Sequence, residues 1–268
     1  MKKAAIQGLI LILLFFSIWF LLFQVNWVSV LKIEKITKKT EQKLGSLYLN
    51  IFKGTNNEID DQFIIDSIDS LVTQICVSNE INKERIKIHV LDKDEVNAFA
   101  LPDGHLVIYS GLILAAENQE ELSGVICHEI AHIELNHVMK KLVKDVGIST
   151  LLSMATGGSG SEIIKESAKT LSSTAFDRGL EKEADINAVK YLIKANIDPE
   201  PYADFLYRLS EEEGDAMKYL SWINTHPLSK ERAEYIMEHN NKEVTDTEHI
   251  LSQKTWDKMK RILSENNS

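Results

Sequence analysis

An apolar run opens the chain. From Ala4 to Phe23 the only polar side chains are Gln7 and Ser17. About twenty helical residues at 1.5 Å each span the roughly 30 Å hydrocarbon core of a bilayer. A cleaved signal peptide would need a small-x-small site after the run, and none is present. We therefore predict that residues 1–31 form an uncleaved single-pass transmembrane anchor, which would contact the lipid bilayer.

The charges that flank this run give conflicting indications of its orientation. Lys2 and Lys3 precede it, a usual start for a signal anchor, whereas four lysines follow it, at positions 32, 35, 38 and 39. Positive charge favours the cytoplasmic side, but long domains translocate largely regardless of nearby charge. We expect the domain that follows to lie on the extracytoplasmic, periplasmic side of the membrane.

Residues 32–56 are assigned to a juxtamembrane segment and residues 57–268 to a single domain. Apolar residues recur at helical spacing in an early helix: Ile64, Ile65, Ile68, Leu71, Val72 and Ile75. The segment Thr247–Glu265 has the pattern of a closing amphipathic helix around Trp256 and Met259.

Three short segments have the pattern of strands. They are Ile86–Leu91, Val96–Ala100 and His105–Tyr109. Pro102, Asp103 and Gly104 favour a hairpin turn between the last two, because proline presets a turn and glycine adopts positive φ. The sequence therefore predicts an α+β fold, mostly helical, with a small sheet.

Composition excludes one class of partner. Without residues 1–31 the chain has 28 basic and 40 acidic side chains, a formal net charge of −12. An acidic domain of this kind disfavours nucleic-acid binding. Cys76 and Cys127 lie in apolar helical patterns and are expected to be small buried residues rather than a disulfide. The sequence gives no indication of oligomeric state.

The chemistry is concentrated in the run GVICHEIAHIELNH, which contains the motif HExxH. His128 and His132 are four residues apart, so on a helix two imidazoles converge on one metal ion, and Glu129 stands beside them to handle a water molecule. Such a site suits one tetrahedral Zn²⁺ per chain, with a further protein ligand and an open fourth position. Asn118 predicts the start of this helix, with Glu121 as the reciprocal carboxylate of a capping box.

The third ligand must come from elsewhere. His137 lies about 180° round a continuing helix from His128, so it cannot reach the same ion. In the run DRGLEKEAD, Glu181 and Asp185 share a helical face, whereas Glu183 points about 200° away from Glu181. One carboxylate can bind the metal while the other orients a ligand histidine. A solvated charged helix face is the alternative for this run.

Four segments together identify a resemblance. The chain resembles the membrane-associated zinc metallopeptidases of family forty-eight, the family of HtpX, BepA and the CAAX prenyl protease. The matching segments are Asn97–Ile113, Glu121–His137, Arg178–Asp185 and Thr225–Ile236. The resemblance implies a zincin-type fold, with His128, His132 and Glu181 as zinc ligands, Glu129 as catalytic base and Asp185 as the residue that orients a ligand. Where the family often has Tyr-Ser, this chain has Phe176 and Asp177.

The same resemblance implies a substrate-binding role for the hairpin. In similar enzymes the strand beside the active site binds substrate as an added β-strand, so Asn97, Ala98, Phe99 and Ala100 would offer backbone groups to an extended peptide. An ordinary core hairpin is the alternative.

It also draws attention to a histidine near the carboxyl end. His226 would assist catalysis by donating to the oxyanion of the reaction intermediate, or else would gate the site by binding the metal. We favour the oxyanion role. Arg232 is expected to hold the loop that carries His226.

We therefore predict a membrane-anchored, zinc-dependent metalloendopeptidase that hydrolyses peptide bonds in proteins or peptides, with a role in protein quality control. The alternative from another class is a membrane-bound, chaperone-like assembly factor that chiefly binds misfolded proteins and whose proteolysis is restrained.

Overall fold

The structure is a computed structural model that describes residues 7, 12, 14–17, 38–211, 222, 224–226, 230–239 and 249–266. The chain divides into two compact units, residues 1–37 and residues 38–268. The predicted anchor over residues 1–31 lies almost entirely outside the described residues. Among those that are described, we find no helix whose length and apolar character would suffice to span a bilayer.

The second unit is mostly helical and contains a small sheet, as predicted. Its elements, within the described residues, are α1 (Lys38–Thr55), α2 (Gln62–Ser78), β1 (Lys87–Leu91), β2 (Ala98–Leu101), β3 (His105–Tyr109), α3 (Ser110–Ala115), α4 (Gln119–Glu134), α5 (His137–Asp145), α6 (Ile148–Thr156), α7 (Ser161–Ser173), α8 (Arg178–Lys194), α9 (Glu200–Glu211), α10 (Lys230–His239) and α11 (Gln253–Asn266). The predicted early helix corresponds to α2 and the predicted closing helix to α11.

The three strands form one sheet in the order β1-β3-β2. β1 runs parallel to β3, and β2 pairs antiparallel with β3, which confirms the predicted hairpin. The turn needs positive φ twice, at Asp103 (64°) and Gly104 (71°). A Cβ added at Gly104 would lie 1.8 Å from the carbonyl oxygen of Arg85, so only glycine fits there. The second strand begins at Ala98, two residues later than its pattern predicts.

Helix α1 belongs to this unit. Its apolar face is buried, and the Phe52 ring lies 4.8 Å from that of Phe99 on β2. The Tyr48 hydroxyl lies 3.7 Å from the Met154 sulfur on α6. Residues 38–56, which were assigned to the juxtamembrane segment, lie in the second unit, which begins at Lys38.

Helix α4 is the centre of the unit. Every residue from Glu121 to Ile133 is buried. Helix α8 packs against it with Ala184 and Ala188 fully buried, since small residues let two helices approach closely. Helix α9 packs on another side of α4, where a Cβ on Gly124 would lie 2.4 Å from the side chain of Tyr202. The polar residues of α4 are thus enclosed on several sides.

Both cysteines are free and buried, as predicted. Cys76 lies on α2 and Cys127 on α4. Burial raises the pKa of the Cys76 thiol to about 11, so it remains uncharged at neutral pH.

Candidate metal centre

The amino end of α4 fixes the register of the motif. The Asn118 side chain caps the helix by accepting from the Glu121 amide at 2.9 Å. The reciprocal bond of the predicted capping box is not formed, because the Glu121 carboxylate accepts from the Glu117 amide, also at 2.9 Å. Arg208 on α9 donates to both Glu121 oxygens, at 2.9 and 2.7 Å, and so ties this helix end to its neighbour.

Four side chains converge on one point inside the unit. His128 Nε2 and His132 Nε2, one helical turn apart on α4, lie 3.0 Å from each other. From α8, Glu181 brings its carboxylate 3.6 Å from His128 Nε2 and 3.4 Å from His132 Nε2. His226 Nδ1 lies 3.1 Å from His128 Nε2 and 3.1 Å from Glu181 Oε1. All four side chains are buried.

These distances fit a tetrahedral metal ion. Ligand atoms about 2.0–2.1 Å from a tetrahedral Zn²⁺ lie about 3.3 Å from one another. The five separations above run from 3.0 to 3.6 Å. Burial lowers the pKa of His132 and of His226 to about 3 each, so both imidazoles are neutral at neutral pH, the form that binds metal. Three imidazole nitrogens and one carboxylate therefore make a donor set that Zn²⁺ suits.

Glu129 stands next to this cluster without being part of it. Its Oε2 accepts a hydrogen bond from the Ala100 amide of β2 at 2.9 Å. Its Oε1 lies 3.3 Å from His226 Nε2, and neither of these two atoms makes a hydrogen bond within the described residues. Burial and the nearby Glu181 carboxylate raise the pKa of Glu129 well above its ordinary value.

Asp185 contacts the cluster through the His128 ring. Its Oδ1 lies 2.8 Å from His128 Nδ1, the ring nitrogen on the far side from the cluster. Arg232 donates to both Asp185 oxygens, and the Tyr202 hydroxyl lies 3.0 Å from Oδ1. Burial alone would raise the pKa of Asp185, but the Arg232 guanidinium and the His128 ring together lower it, so the carboxylate stays ionised. Arg232 also lies 3.2 Å from Glu181 Oε2 and donates to the His226 carbonyl.

Three neighbours of the cluster were not predicted. His137 Nδ1 lies 3.0 Å from His132 Nδ1, although His137 is not among the donors of the cluster, as expected for a residue that cannot reach the same ion. The contact arises because α4 ends at Glu134 and Asn136 adopts a left-handed conformation with φ 56°, whereas the sequence pattern was read as a continuing helix. The Phe176 ring stacks on His132 at 4.1 Å, and the Trp222 ring lies 4.2 Å from His226. Asn136 stands four residues after the end of the motif, and asparagine tolerates left-handed φ, so it was the available indication of the helix end.

The predicted substrate strand lies beside Glu129, but only part of its backbone faces that side. The Asn97 carbonyl accepts from the Tyr109 amide, and Ala100 donates to Glu129. Because backbone groups of successive residues alternate between the two edges of an antiparallel strand, Asn97 and Phe99 face β3, and Ala98 and Ala100 face outward. Of the four residues expected to offer backbone groups to a peptide, only Ala98 and Ala100 direct theirs to the outward edge of β2. All four are buried in this conformation.

An HExxH helix whose two imidazoles meet a carboxylate from a second helix defines a zinc metallopeptidase. A family model described as peptidase family M48 matches residues 66–240, more than half of the chain. The chain therefore belongs to peptidase family M48. This confirms the family predicted from the four sequence segments and supports Zn²⁺ as the cofactor.

Curated relatives agree with this assignment. The chain is 27% identical to the beta-barrel assembly-enhancing protease of Escherichia coli (strain K12) over 207 residues, which cover 72% of this chain and 42% of that protein. It is 28% identical to the mitochondrial metalloendopeptidase OMA1 of Schizosaccharomyces pombe over 157 residues, 57% of this chain and 46% of that protein. A putative beta-barrel assembly-enhancing protease of Vibrio cholerae is 27% identical over 74% of this chain and 43% of its own length. The chain thus matches less than half the length of these relatives.

Proposed function

We propose that this chain is a zinc-dependent metalloendopeptidase that hydrolyses peptide bonds in protein substrates. One observation carries the proposal. Glu129 lies beside a cluster of metal donors with one carboxylate oxygen, Oε1, directed toward His226 and free of hydrogen bonds within the described residues. A carboxylate so placed can accept a proton from an attacking water, which is what this class of reaction requires.

The residues then take the following roles. His128, His132 and Glu181 would hold the metal, and a bound Zn²⁺ would supply a Lewis acid for the water and for the scissile carbonyl. Glu129 takes the water proton and later returns it to the leaving amine. The Ala100 amide, at 2.9 Å from Oε2, holds the other oxygen of Glu129 so that Oε1 is the one available.

The outward edge of β2 is the proposed binding site for the substrate backbone. Ala98 and Ala100 direct backbone groups to this edge, and an extended peptide would add there as a further strand. Main-chain hydrogen bonds of this kind depend little on side chains. They suit an enzyme that acts on many protein sequences in an unfolded or extended state.

His226 is proposed to gate the site. Its Nδ1 lies 3.1 Å from both His128 Nε2 and Glu181 Oε1, at the position of a fourth ligand. A water molecule and a substrate carbonyl need that position. The distances therefore favour the gate over the oxyanion role that the sequence analysis preferred. Release of His226 would open the site and leave its imidazole next to Glu129 and the reacting groups.

The physiological setting follows from the sequence and from the relatives' names. We propose that residues 1–31 anchor the enzyme in a membrane with its domain on the extracytoplasmic side, and that it serves protein quality control. Two of the relatives are named for the enhancement of β-barrel assembly. A protease that is closed at rest suits such a role, because it spares correctly folded proteins. Glu129 beside the donor cluster favours peptide hydrolysis over the purely chaperone-like alternative.

The test compares Glu129→Gln with the wild-type chain on an unfolded protein substrate. Both proteins should bind one equivalent of zinc and unfold at similar temperatures, because Glu129 is not a donor to the cluster. Only the wild type should cleave the substrate. Equal cleavage by both purified proteins would exclude the proposed mechanism, and rescue of a deletion strain by Glu129→Gln would instead support the chaperone-like role.

A further inference from the structure

The two histidines of α4 are supported by different partners. His128 Nδ1 lies 2.8 Å from the Asp185 carboxylate. His132 Nδ1 lies 3.0 Å from another imidazole, Nδ1 of His137, which is fully buried. His137 Nε2 in turn lies 3.3 Å from the carboxylate of Glu183 on α8. A chain of polar contacts therefore runs from His132 through His137 to Glu183.

His137 can make these contacts because α4 ends before it. On a continuing helix His137 would lie about 140° round the axis from His132 and could not face its ring. The left-handed conformation of Asn136 stops the helix, and α5 begins with His137 in a new direction. The side chain is thereby directed back against the outer edge of the His132 ring. Its Nδ1 faces His132 Nδ1 and not the cluster, so His137 is no ligand in this arrangement.

The proton positions along the contacts from His132 through His137 to Glu183 are mutually consistent. A neutral imidazole has one N–H and one acceptor nitrogen. If His132 binds metal through Nε2, its proton is on Nδ1 and must be donated to His137 Nδ1. The His137 proton is then on Nε2, where the Glu183 carboxylate accepts it. Each N–H of the two imidazoles therefore faces an acceptor, and each acceptor faces one N–H.

We propose that His137 is a positioning residue for the metal ligand His132, and that Glu183 completes the support. His137 holds the tautomer and the ring orientation in which His132 Nε2 points at the metal, as Asp185 does for His128. This inference rests on the proposed zinc site. Glu183, which points away from Glu181 on the α8 helix, thereby acts through His137 and not at the metal cluster.

Asparagine and leucine at position 137 separate this role from packing. Asparagine keeps an acceptor at the δ position, where Nδ1 lies now, whereas leucine fills the space without an acceptor. Loss of such a supporting hydrogen bond costs roughly 10 to 100-fold in metal affinity. We expect His137→Leu to lose zinc affinity to that extent and His137→Asn to stay within a few-fold of wild type. Glu183→Gln should lose little, because its amide oxygen still accepts, and Glu183→Ala should lose more.

The experiment uses the purified full-length chain and two probes, zinc and cobalt. Chelator competition gives the zinc affinity of each variant, and the visible spectrum of bound Co²⁺ reports the ligand geometry. Thermal unfolding of the metal-free proteins measures any loss of folding separately. His249→Leu serves as the control, because its side chain is 67% exposed. The expected pattern is a weakened, spectrally altered site in His137→Leu, and near-normal sites in His137→Asn and His249→Leu.

Two outcomes would overturn the inference. Wild-type affinity in His137→Leu would show that the contact has no role in metal binding, and equal losses in His137→Leu and His137→Asn would show that the residue only packs. Should His137→Leu not fold, His137→Gln replaces it, because its amide sits at the ε position and should bind zinc more weakly than His137→Asn. Zinc binding that survives Glu181→Gln unchanged would instead refute the proposed site itself, and this inference with it.

Discussion

Arg232 and Asp185 form a buried, two-point ion pair behind the metal cluster. Arg232 Nε donates to Asp185 Oδ2 at 2.7 Å and Nη2 donates to Oδ1 at 2.8 Å. Both side chains are almost completely enclosed. Because Asp185 also contacts His128, this pair joins α10 to the metal-binding helix α4 through α8. Arg232 was expected to hold the segment that carries His226, and its Nη1 donates to the His226 carbonyl at 3.2 Å.

The first prediction concerns this pair. Arg232→Met should destabilise the protein by about 3–5 kcal/mol, because it leaves a carboxylate buried without its partner. The double variant Arg232→Met/Asp185→Asn should recover part of that loss, since the stranded charge is gone. Denaturant unfolding of the two variants and of wild type measures both effects. A single variant as stable as wild type would contradict the assignment.

The second prediction concerns the gate. If His226 occupies the fourth ligand position at rest, His226→Ala should increase turnover of an unfolded protein substrate, because the metal becomes accessible. If it served only the oxyanion, kcat and kcat/KM should both fall by roughly 100-fold. Steady-state kinetics on zinc-loaded protein distinguishes the two. Unchanged turnover would reject both roles.

The third prediction compares two glycines on helices. A Cβ on Gly124 would lie 2.4 Å from Tyr202, whose hydroxyl contacts Asp185, whereas a Cβ on Gly179 would meet nothing within 4 Å. Gly124→Ala should therefore cost about 1–3 kcal/mol of stability through overpacking. Gly179→Ala should be neutral or stabilise by up to about 1 kcal/mol, since alanine favours helix. The free energies of unfolding of the two variants and of wild type measure both effects. Equal changes in the two variants would contradict the packing argument.

The fourth prediction concerns acid stability and a site away from the metal. His89 Nδ1 lies 2.8 Å from Glu58, and His89 Nε2 lies 2.9 Å from His105 Nδ1. The remaining nitrogen, His105 Nε2, is buried and has no hydrogen-bond partner within the described residues. Burial, together with the nearby His89 and Lys87 charges, lowers the pKa of His105 to about 4 from the ordinary value of 6.5.

The direction of the pH effect on stability follows from the difference between these two pKa values. Between pH 6.5 and about 4 the unfolded chain binds a proton at this position that the folded chain does not, so stability is full above this window and falls within it as the pH is lowered. The loss should be about 1–2 kcal/mol after allowance for solvent screening. His105→Gln should show a smaller decrease in unfolding free energy between pH 7 and pH 4.5 than wild type. An identical slope in His105→Gln and wild type would contradict the prediction.

Much of the site was predictable because its geometry is local. His128, Glu129 and His132 lie within one helical turn, and the spacing of Glu181 and Asp185 depends on helix periodicity alone. The hairpin was equally accessible, since Pro102 and Gly104 restrict the backbone directly. In each of these cases the residues that determine the conformation are also neighbours in the sequence.

What escaped prediction depends on where helices stop and how they pack. A single left-handed residue, Asn136, ends α4, and without that break His137 would lie on the wrong face. The position of α1 depends on the burial of Leu44, Tyr48 and Phe52, which lie in the range assigned to the juxtamembrane segment. The position of His226 beside the cluster depends on tertiary contacts with Trp222 and Arg232. No pattern of spacing encodes these contacts.

The metal donors are widely separated along the chain, so the zinc site can be completed only at a certain stage of synthesis and folding. Glu181 and His226 are 45 residues apart, and His226 is 98 residues from His128. A nascent chain that has emerged only through α4 offers two imidazoles and no third donor, so it retains zinc weakly. The complete donor set exists only once α8 has been synthesised and has docked on α4, so a copy that has not folded this far lacks the Glu181 carboxylate beside the two histidines.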